Sequence, residues 1–226
     1  MIQTTDNATA FDLAQTDRLL STTRSVRKRL DLTRAVPRKL VVDALRIATQ
    51  APSGGNSQRW RWLVIDDADR KAHIAKWYSA SHDPYMAANR ELAGDTIVKG
   101  SSPDRVMDSS SYLSDHMADV PVLVIPCWLD RLTEQPSTMD MAGLYGSLLP
   151  AVWSFILALR SRGLGSAYTT LHLAYEHEVG EALGIPDTVT QAALIPVAYY
   201  TGDDFKPADR KPVEAVTYWN QWGSKA

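Results

Sequence analysis

The sequence has a single cysteine and almost no net charge, and each shortage excludes a class of protein. Cys127 is the one cysteine in 226 residues, so an internal disulfide and a multi-cysteine metal site are both excluded. A lone thiol between Pro126 and Trp128 is typical of core packing. The formal net charge is −2 and Lys and Arg are spread along the chain, which argues against a nucleic-acid partner.

Long apolar runs are also scarce. No stretch approaches the roughly 18 apolar residues that span a bilayer, and the N-terminus has no basic region followed by an apolar run. We therefore expect no membrane partner and a cytoplasmic protein. A hydrophobic content of 45% suits a globular core, and no repeat or low-complexity linker divides the chain. A single domain over 1–226 is the prediction.

Hydrophobic spacing and turn residues predict the elements of the first half of the chain. They are a helix over 11–20, a helix with Pro37 at its first position that ends before Pro52, a glycine loop over 52–59, a strand over 60–65, and a helix from about 66 through about 80. Residues 81–111 are polar, and we expect mobile helices and loops there.

The second half predicts five further elements. They are a strand over 121–128, a long buried helix over 139–162, an extended piece over 166–171, a helix over 175–183 closed by Gly184, and a strand over 192–200. Pro126 favours an edge position or a bulge for the first of these. Pro150 predicts a kink or a break in the long helix, which Gly163 is placed to end.

Common catalytic motifs are not found. Gly163-Leu164-Gly165 begins like a dinucleotide fingerprint, but the third glycine is missing and a helix precedes it. The chain contains no phosphate loop and no nucleophile elbow. The five histidines lack metal-ligand spacing, and the cluster of Asp115, His116 and Asp119 is typical of a solvated helix face. An organic cofactor that supplies its own chemistry suits this pattern.

Two short stretches fit such a cofactor. Arg24, Ser25 and Arg27 offer guanidinium and hydroxyl donors for a phosphate, although from this run alone a basic surface patch is the better interpretation. The second stretch, which has the Pro, Ser, Gly and Asn residues of a loop, changes that balance through its resemblance to a known family. It reads Ala51-Pro52-Ser53-Gly54-Gly55-Asn56-Ser57-Gln58-Arg59-Trp60.

Together these stretches resemble the nitroreductase family of flavoproteins, which carry Arg-Ser-x-Arg and, about thirty residues later, Ala-Pro-Ser-x-x-Asn-x-Gln-x-Trp. The resemblance extends to three further short stretches, 163–166, 183–186 and 210–213. Residues 80–115 match least. Many relatives carry a second arginine where this chain has Thr23, and often a proline where it has Arg59. The paired glycines Gly54-Gly55 predict an unusually flexible loop.

The resemblance implies an α+β fold with a mostly antiparallel central sheet wrapped by helices, in an intertwined homodimer with the site at its interface. Arg24, Ser25 and Arg210 would face the phosphate of bound FMN, and Arg27 the pyrimidine edge. The loop of Pro52, Ser53 and Gly54 would pack on the ring of the other subunit, with Asn56 bonding to the flavin or bracing the loop. Backbone amides of Thr169, Thr170 and Leu171 would approach flavin N5 and O4.

The implied activity is ping-pong transfer of two electrons from NADH or NADPH, through flavin N5, to a small-molecule acceptor such as a nitroaromatic or a quinone. No catalytic side chain is expected, because N5 carries the chemistry and solvent supplies protons. Flavin cleavage, reductive dehalogenation and non-catalytic flavin storage remain alternatives. The acceptor pocket would involve the poorly matched middle segment, with Tyr85, Met86 and Tyr112 as candidates.

Overall fold

The computed structural model describes residues 11–93 and 102–225, and the chain forms two compact units. The larger unit is Arg24–Gly202, and the smaller combines Met1–Thr23 with Asp203–Ala226. The prediction of one domain over 1–226 stays a prediction. The helices and strands are, in chain order, α1 (Leu13–Thr22), β1 (Leu30–Asp31), α2 (Arg38–Ala48), β2 (Trp60–Ile65), α3 (Ala68–Ala93), α4 (Ser102–Asp115), β3 (Val122–Trp128), α5 (Thr138–Arg160), β4 (Leu164–Ser166), α6 (Glu176–Leu183), β5 (Thr190–Gln191) and β6 (Ile195–Tyr200).

One six-stranded sheet organises the larger unit, and all its strand pairs are antiparallel. Val197 on β6 pairs with Val122 on β3 and with Ser166 on β4. Since one residue cannot pair twice on the same side, β3 and β4 flank β6 on opposite sides. The order across the sheet is β2, β3, β6, β4, with β1 and β5 pairing at the ends of β6 and β3. The predicted α+β fold with an antiparallel sheet is confirmed.

The core lies between β3 and α5. Every residue of β3 is buried, and α5 buries an apolar face of helical period that packs on the sheet and on α2. Ser137 and Asp140 form a capping box at its start, and Gly163 follows its end at φ 76°. The predicted break at Pro150 does not occur, and α5 is one helix. Gly146, four residues earlier, is exposed, so water can reach the carbonyl that Pro150 cannot bond.

The helix α5 also has the length and apolarity of a membrane span, contrary to the sequence-based expectation. Its most apolar 18-residue window has a mean hydropathy of 1.6 and is 50% buried inside the protein. A buried core helix of a soluble protein meets the same criterion, so length and composition alone are weak evidence for a membrane.

The middle of the chain is more regular than predicted. Helix α3 continues to Ala93, through Pro84, and α4 covers Ser102–Asp115; the intervening 94–101 lie outside the described residues. The reason is a buried stripe at every fourth position, formed by Ile74, Tyr78, His82 and Met86. This stripe runs past the predicted end near residue 80, and Pro84 lies off it.

The edge position predicted for Pro126 is wrong, because β3 is paired on both sides. In a strand, the N–H and C=O of one residue point to the same side. The Pro126 carbonyl accepts from the amide of Ala192, so the N–H that proline lacks would also have faced Ala192. On that side β6 pairs only as far as Val124 and β5 begins at Cys127. Proline therefore falls in a gap between two ladders, where no N–H is needed.

The remaining differences from the sequence-based prediction concern the residues at which elements begin and end. Pro37 is the N-cap of α2 and not its first helical residue. The extended piece begins earlier, at Leu164, and Leu171 already starts a 3-10 helix, Leu171–Tyr175. Strand β6 begins at Ile195 and not at residue 192. Strand β2 and the end of α6 at left-handed Gly184 are as predicted.

Candidate functional site

The Arg24–Arg27 segment lies along the outer edge of β4. Ser25 forms a parallel bridge with Ser166, and the Val26 amide donates to the Ser166 carbonyl at 2.8 Å. A Cβ placed on Gly165 would lie 3.0 Å from Val26 Cβ, so Val26 would have to shift by a few tenths of an ångström to admit it. Glycine at 165 therefore admits this segment, and the structure brings together two of the stretches that suggested the family.

Two arginines of this segment have no partner among the residues that the structure describes, unlike their neighbours. Lys28 pairs with Asp108, and Arg29 Nε donates to the Thr201 carbonyl at 2.6 Å. Within 11–93 and 102–225, neither Arg24 nor Arg27 forms an ion pair or a side-chain hydrogen bond, although both are half-buried. Burial lowers the pKa of Arg27, and the charge interaction with Tyr78 opposes this shift only in part. The edge of β4 therefore carries positive charge that the described residues do not neutralise.

Arg27 and Thr169 meet at a buried tyrosine of α3. Burial raises the pKa of Tyr78, while a hydrogen bond with the Thr169 side chain and the charge of Arg27 oppose the shift. The Thr169 amide and hydroxyl both donate to the Leu194 carbonyl, at 3.2 and 2.7 Å. Thr169 is thus held by the sheet, and its own amide is already used.

The backbone amides of Thr170 and Leu171 differ from that of Thr169. Thr170 precedes the 3-10 helix Leu171–Tyr175, whose first N–H groups have no partner inside the helix. In the described part of the chain no acceptor is recorded for the amides of Thr170 and Leu171. These two are the donors that the arrangement leaves for a ligand, and their contact with flavin stays a prediction.

The Pro52–Asn56 loop is tightly hydrogen-bonded, contrary to the flexibility expected from its glycines. It contains the one-turn 3-10 helix Gly54–Asn56, in which Gly55 takes a φ of 59° that favours glycine. The Ser53 hydroxyl accepts from the Gln58 amide at 3.1 Å, and Asn56 Oδ1 accepts from Gln58 Nε2 at 2.9 Å. Asn56 therefore braces the loop, and its contact with flavin stays a prediction.

One chain does not bring the loop and the arginine segment together. The loop leads into β2 at one edge of the sheet, whereas Ser25 lies beyond β4 at the opposite edge. Four inter-strand spacings separate these edges, which is roughly 19 Å. Arg210 belongs to the smaller unit, where it is exposed and donates to the Asp209 carbonyl, and its phosphate contact stays a prediction.

A groove of about 560 Å³ opens beside the loop. Its walls are Gly54, Ser57 and Arg59 of the loop, the connection that follows β3, and the first turns of α5. Arg59, which departs from the family pattern, donates to Asp130 at 2.8 Å and to the Leu129 carbonyl at 2.9 Å. The arginine thus ties the loop to the end of β3.

Two residues of the site were not anticipated from the sequence. Tyr78 lies beyond any local motif, although its place in the buried stripe of α3 is visible in the sequence. Ser147 is a buried polar residue of α5, and its hydroxyl accepts from the Gly54 amide at 2.9 Å. A serine between Leu144 and Leu148 on an apolar helix face was the available signal. Of the acceptor-pocket candidates, Met86 is buried, Tyr85 is exposed and Tyr112 stacks on His116.

The side chains of Cys127 and His172 are buried. Burial raises the pKa of Cys127 to about 12, which keeps the thiol protonated and unreactive. Burial lowers the pKa of His172 to about 4, so this histidine is neutral near pH 7. No cluster of three metal-ligating side chains occurs among the described residues.

Residues 20–199 match the model of the nitroreductase family. The chain belongs to this family. It is 26% identical over 188 residues to an iodotyrosine dehalogenase 1 homolog of Caenorhabditis elegans, covering 81% of this chain but only 55% of that relative's length. It is also 26% identical over 208 residues to a 4-nitrobenzoate reductase of a Nocardioides species, covering 81% and 79% of the two chains.

A solved structure of an iodotyrosine deiodinase bound to FMN and 3-iodo-L-tyrosine has the same fold. Its TM-score is 0.66 at 23% identity, with 90% of this chain and 98% of that chain covered. The family membership supports an oxidoreductase, and the fold agrees with the sheet and helices described above.

Proposed function

We propose that the protein is a homodimeric FMN-dependent oxidoreductase. It passes two electrons from NADH or NADPH to a nitroaromatic, a quinone or a similar small acceptor, in two half-reactions of a ping-pong cycle. The observation that carries the proposal is the pair of half-buried arginines, Arg24 and Arg27, for which the described residues supply no counter-charge. Buried cations without a partner are costly, and an anionic ligand at the edge of β4 removes that cost.

The donors at this edge fit the two ends of FMN. Arg24 and the exposed Ser25 would hold the phosphate dianion, for which guanidinium and hydroxyl donors are suited. Arg27, with Thr169 held nearby through Tyr78, would lie at the ring. A fixed positive charge there stabilises the anionic reduced state of the ring. When bound, FMN supplies a hydride acceptor and donor at N5, so no side chain need act as an acid or a base.

The placement of the loop supports an assembly of two chains. The loop stands across the sheet from the arginine segment of its own chain, so a flavin that touches both would require a second copy. An exposed apolar stripe on α5 offers a surface for this copy, since Met141, Tyr145 and Trp153 are 40%, 36% and 47% exposed at four- and eight-residue spacings. The chemistry of such an exposed stripe is that of a subunit interface.

The test is to purify the protein, load it with FMN and titrate it anaerobically with NADH and with NADPH. A yellow protein that bleaches with either donor and is reoxidised by a nitroaromatic or a quinone is the expected result. A protein that takes up no FMN would refute the cofactor. One that binds FMN but is reduced by neither nicotinamide would refute the electron transfer and favour flavin storage.

A second candidate is reductive dehalogenation, which the sequence similarity to an iodotyrosine dehalogenase homolog favours. The same FMN-loaded protein, reduced with dithionite under anaerobic conditions, would be mixed with a halogenated phenol. Release of halide with reoxidation of the protein would assign this chemistry, whereas reoxidation by nitroaromatics alone would exclude it. Product analysis with oxygen present separates flavin cleavage from both.

A further inference from the structure

We propose that Ser147 is a positioning residue, which fixes the ring-facing loop to α5 through the backbone of Gly54. The inference rests on the proposed function, because the loop acts on a flavin only if one is bound. It extends that function to a helix residue outside the motifs of the family. The geometry that supports it lies entirely within the larger unit.

The hydrogen bonds of Ser147 leave one assignment of donor and acceptor. Its hydroxyl donates to the Gly143 carbonyl at 2.7 Å, one turn earlier in α5. A serine hydroxyl has one hydrogen and two lone pairs, so toward the Gly54 amide, 2.9 Å away, it is the acceptor. The bond back to Gly143 fixes the rotamer and directs the free lone pair at the loop.

Ser147 replaces the cap that the loop does not supply for itself. Gly54 is the first residue of its 3-10 helix, where an amide has no partner within the helix. Ser53 precedes it at the N-cap position, but its side chain makes no capping bond and accepts instead from the Gln58 amide. The Gly54 amide therefore depends on a residue 93 positions later in the chain.

Two spatial details support this role. Ser147 is 3% exposed, so no competing water solvates the hydroxyl freely. A Cβ on Gly54 would lie 3.4 Å from Ser147 Oγ, which shows how closely the loop backbone approaches the helix. The groove of about 560 Å³ is lined by both residues, so a shift of the loop would alter the space beside the site.

The experiment compares Ser147→Ala with Ser161→Ala. Ser161 is the C-cap of the same helix, and its hydroxyl also donates to an earlier carbonyl, that of Ala158. Ser147→Thr keeps the hydroxyl and is the rescue variant. The measurements are amide hydrogen exchange of Gly54 in the apoprotein, the dissociation constant of FMN, and the visible circular dichroism of the bound flavin.

We expect Ser147→Ala to speed Gly54 exchange and to weaken FMN binding, each about tenfold, as for one lost hydrogen bond. The flavin dichroism should change while the melting temperature stays near that of the wild type, because Gly54 is exposed and water can replace the lost acceptor. Ser147→Thr should restore binding and Ser161→Ala should leave all three measurements unaltered. If Ser147→Thr does not fold, the comparison of the two alanine variants still tests whether Ser147 positions the loop.

Three outcomes contradict the inference. Unchanged Gly54 exchange in Ser147→Ala would show that the bond does not hold the loop. Faster exchange with unaltered FMN affinity and dichroism would show that the loop position does not matter to the flavin. Equal effects of Ser161→Ala would assign the change to α5 as a whole. A wild-type protein that binds no FMN would instead refute the proposed function, while the exchange data would still report on the bond.

Discussion

The two edges of the sheet differ in how far their charged and polar groups are satisfied within the described residues. At the edge of β4, Arg24 and Arg27 keep positive charge that the described residues leave uncompensated. At the edge of β2, the polar groups of Ser53, Gly54 and Asn56 are satisfied within the loop and by α5. The first edge therefore offers uncompensated charge to the proposed anion, whereas the second offers a hydrogen-bonded backbone surface. Binding energy should therefore depend on side chains at one edge and on backbone position at the other.

The largest effect expected at the β4 edge comes from Gly165→Ala. The added methyl group would lie 3.0 Å from Val26 Cβ and would push the arginine segment away from β4. Overpacking of this kind costs about 1–3 kcal/mol, and we expect FMN binding to weaken by about a hundredfold. Isothermal titration with FMN measures this. Val26→Ala in the same chain removes the Cγ1 and Cγ2 contacts, at 3.1 and 3.2 Å, but keeps Cβ, so it should recover only part of the loss. A Gly165→Ala protein with normal FMN affinity would show that the position of the arginine segment does not affect the site.

A second expected effect is a pH dependence of stability from His172, in the 3-10 helix Leu171–Tyr175. The histidine is neutral when folded, with a pKa of about 4, and has an ordinary value of 6.5 when unfolded. Between these values the unfolded chain binds more protons, so stability is complete above pH 6.5 and is lost as the pH falls toward 4. From pH 7 to pH 5 the expected loss is about 2 kcal/mol.

Urea unfolding at both pH values measures this loss. His172→Leu should flatten the dependence between pH 7 and pH 5, whereas His177→Gln, at an exposed histidine, should not. Equal slopes in the wild type and His172→Leu would assign the pH dependence to other groups.

Arg27→Gln should raise the stability of the apoprotein and lower its affinity for FMN. Removal of an uncompensated, half-buried charge should stabilise the apoprotein, and loss of the ring-edge cation should weaken FMN binding about tenfold, or 1.4 kcal/mol. The reduction potential of bound flavin should fall, because the anionic reduced state loses its counter-charge. Thermal melting and a xanthine oxidase-coupled redox titration measure these. A destabilised apoprotein would mean that Arg27 has a structural partner, and Arg27→Lys should keep most of the potential.

The smallest effect, about fivefold in FMN affinity, is expected for Arg24→Gln, because the contact proposed for it is with the phosphate alone. Riboflavin lacks that phosphate, so its affinity should be the same for Arg24→Gln and the wild type. Fluorescence titration with both flavins tests the assignment. A parallel loss for riboflavin would place Arg24 at the ring and not at the phosphate.

Local signals were sufficient for several elements. Strand β2 matched its prediction because aromatic and β-branched residues are bounded by turn chemistry, and Gly184 ended α6 because only glycine readily takes its left-handed φ of 68°. Pro126 was misjudged because the gap between β5 and β6 is a property of their pairing with β3, which no local pattern contains.

The candidate site shows the same division between local and distant information. The arginine segment and the loop could be selected from the sequence, since each is a compact motif. That they occupy opposite edges of the sheet follows only from the strand order. The bond between Gly54 and Ser147 joins residues 93 positions apart, and the absence of a partner for Arg27 among the described residues is visible only once its surroundings are known.

The buried thiol of Cys127 makes the proposed assembly measurable by labelling. This cysteine is 3% exposed, is the one thiol in the chain, and has a pKa of about 12, so alkylating reagents at neutral pH should leave it unmodified. A cysteine introduced at an exposed loop position such as Ser57 would then be the sole reactive group. Spin labels placed there report a distance only when two chains associate, and the native sequence needs no prior removal of cysteine.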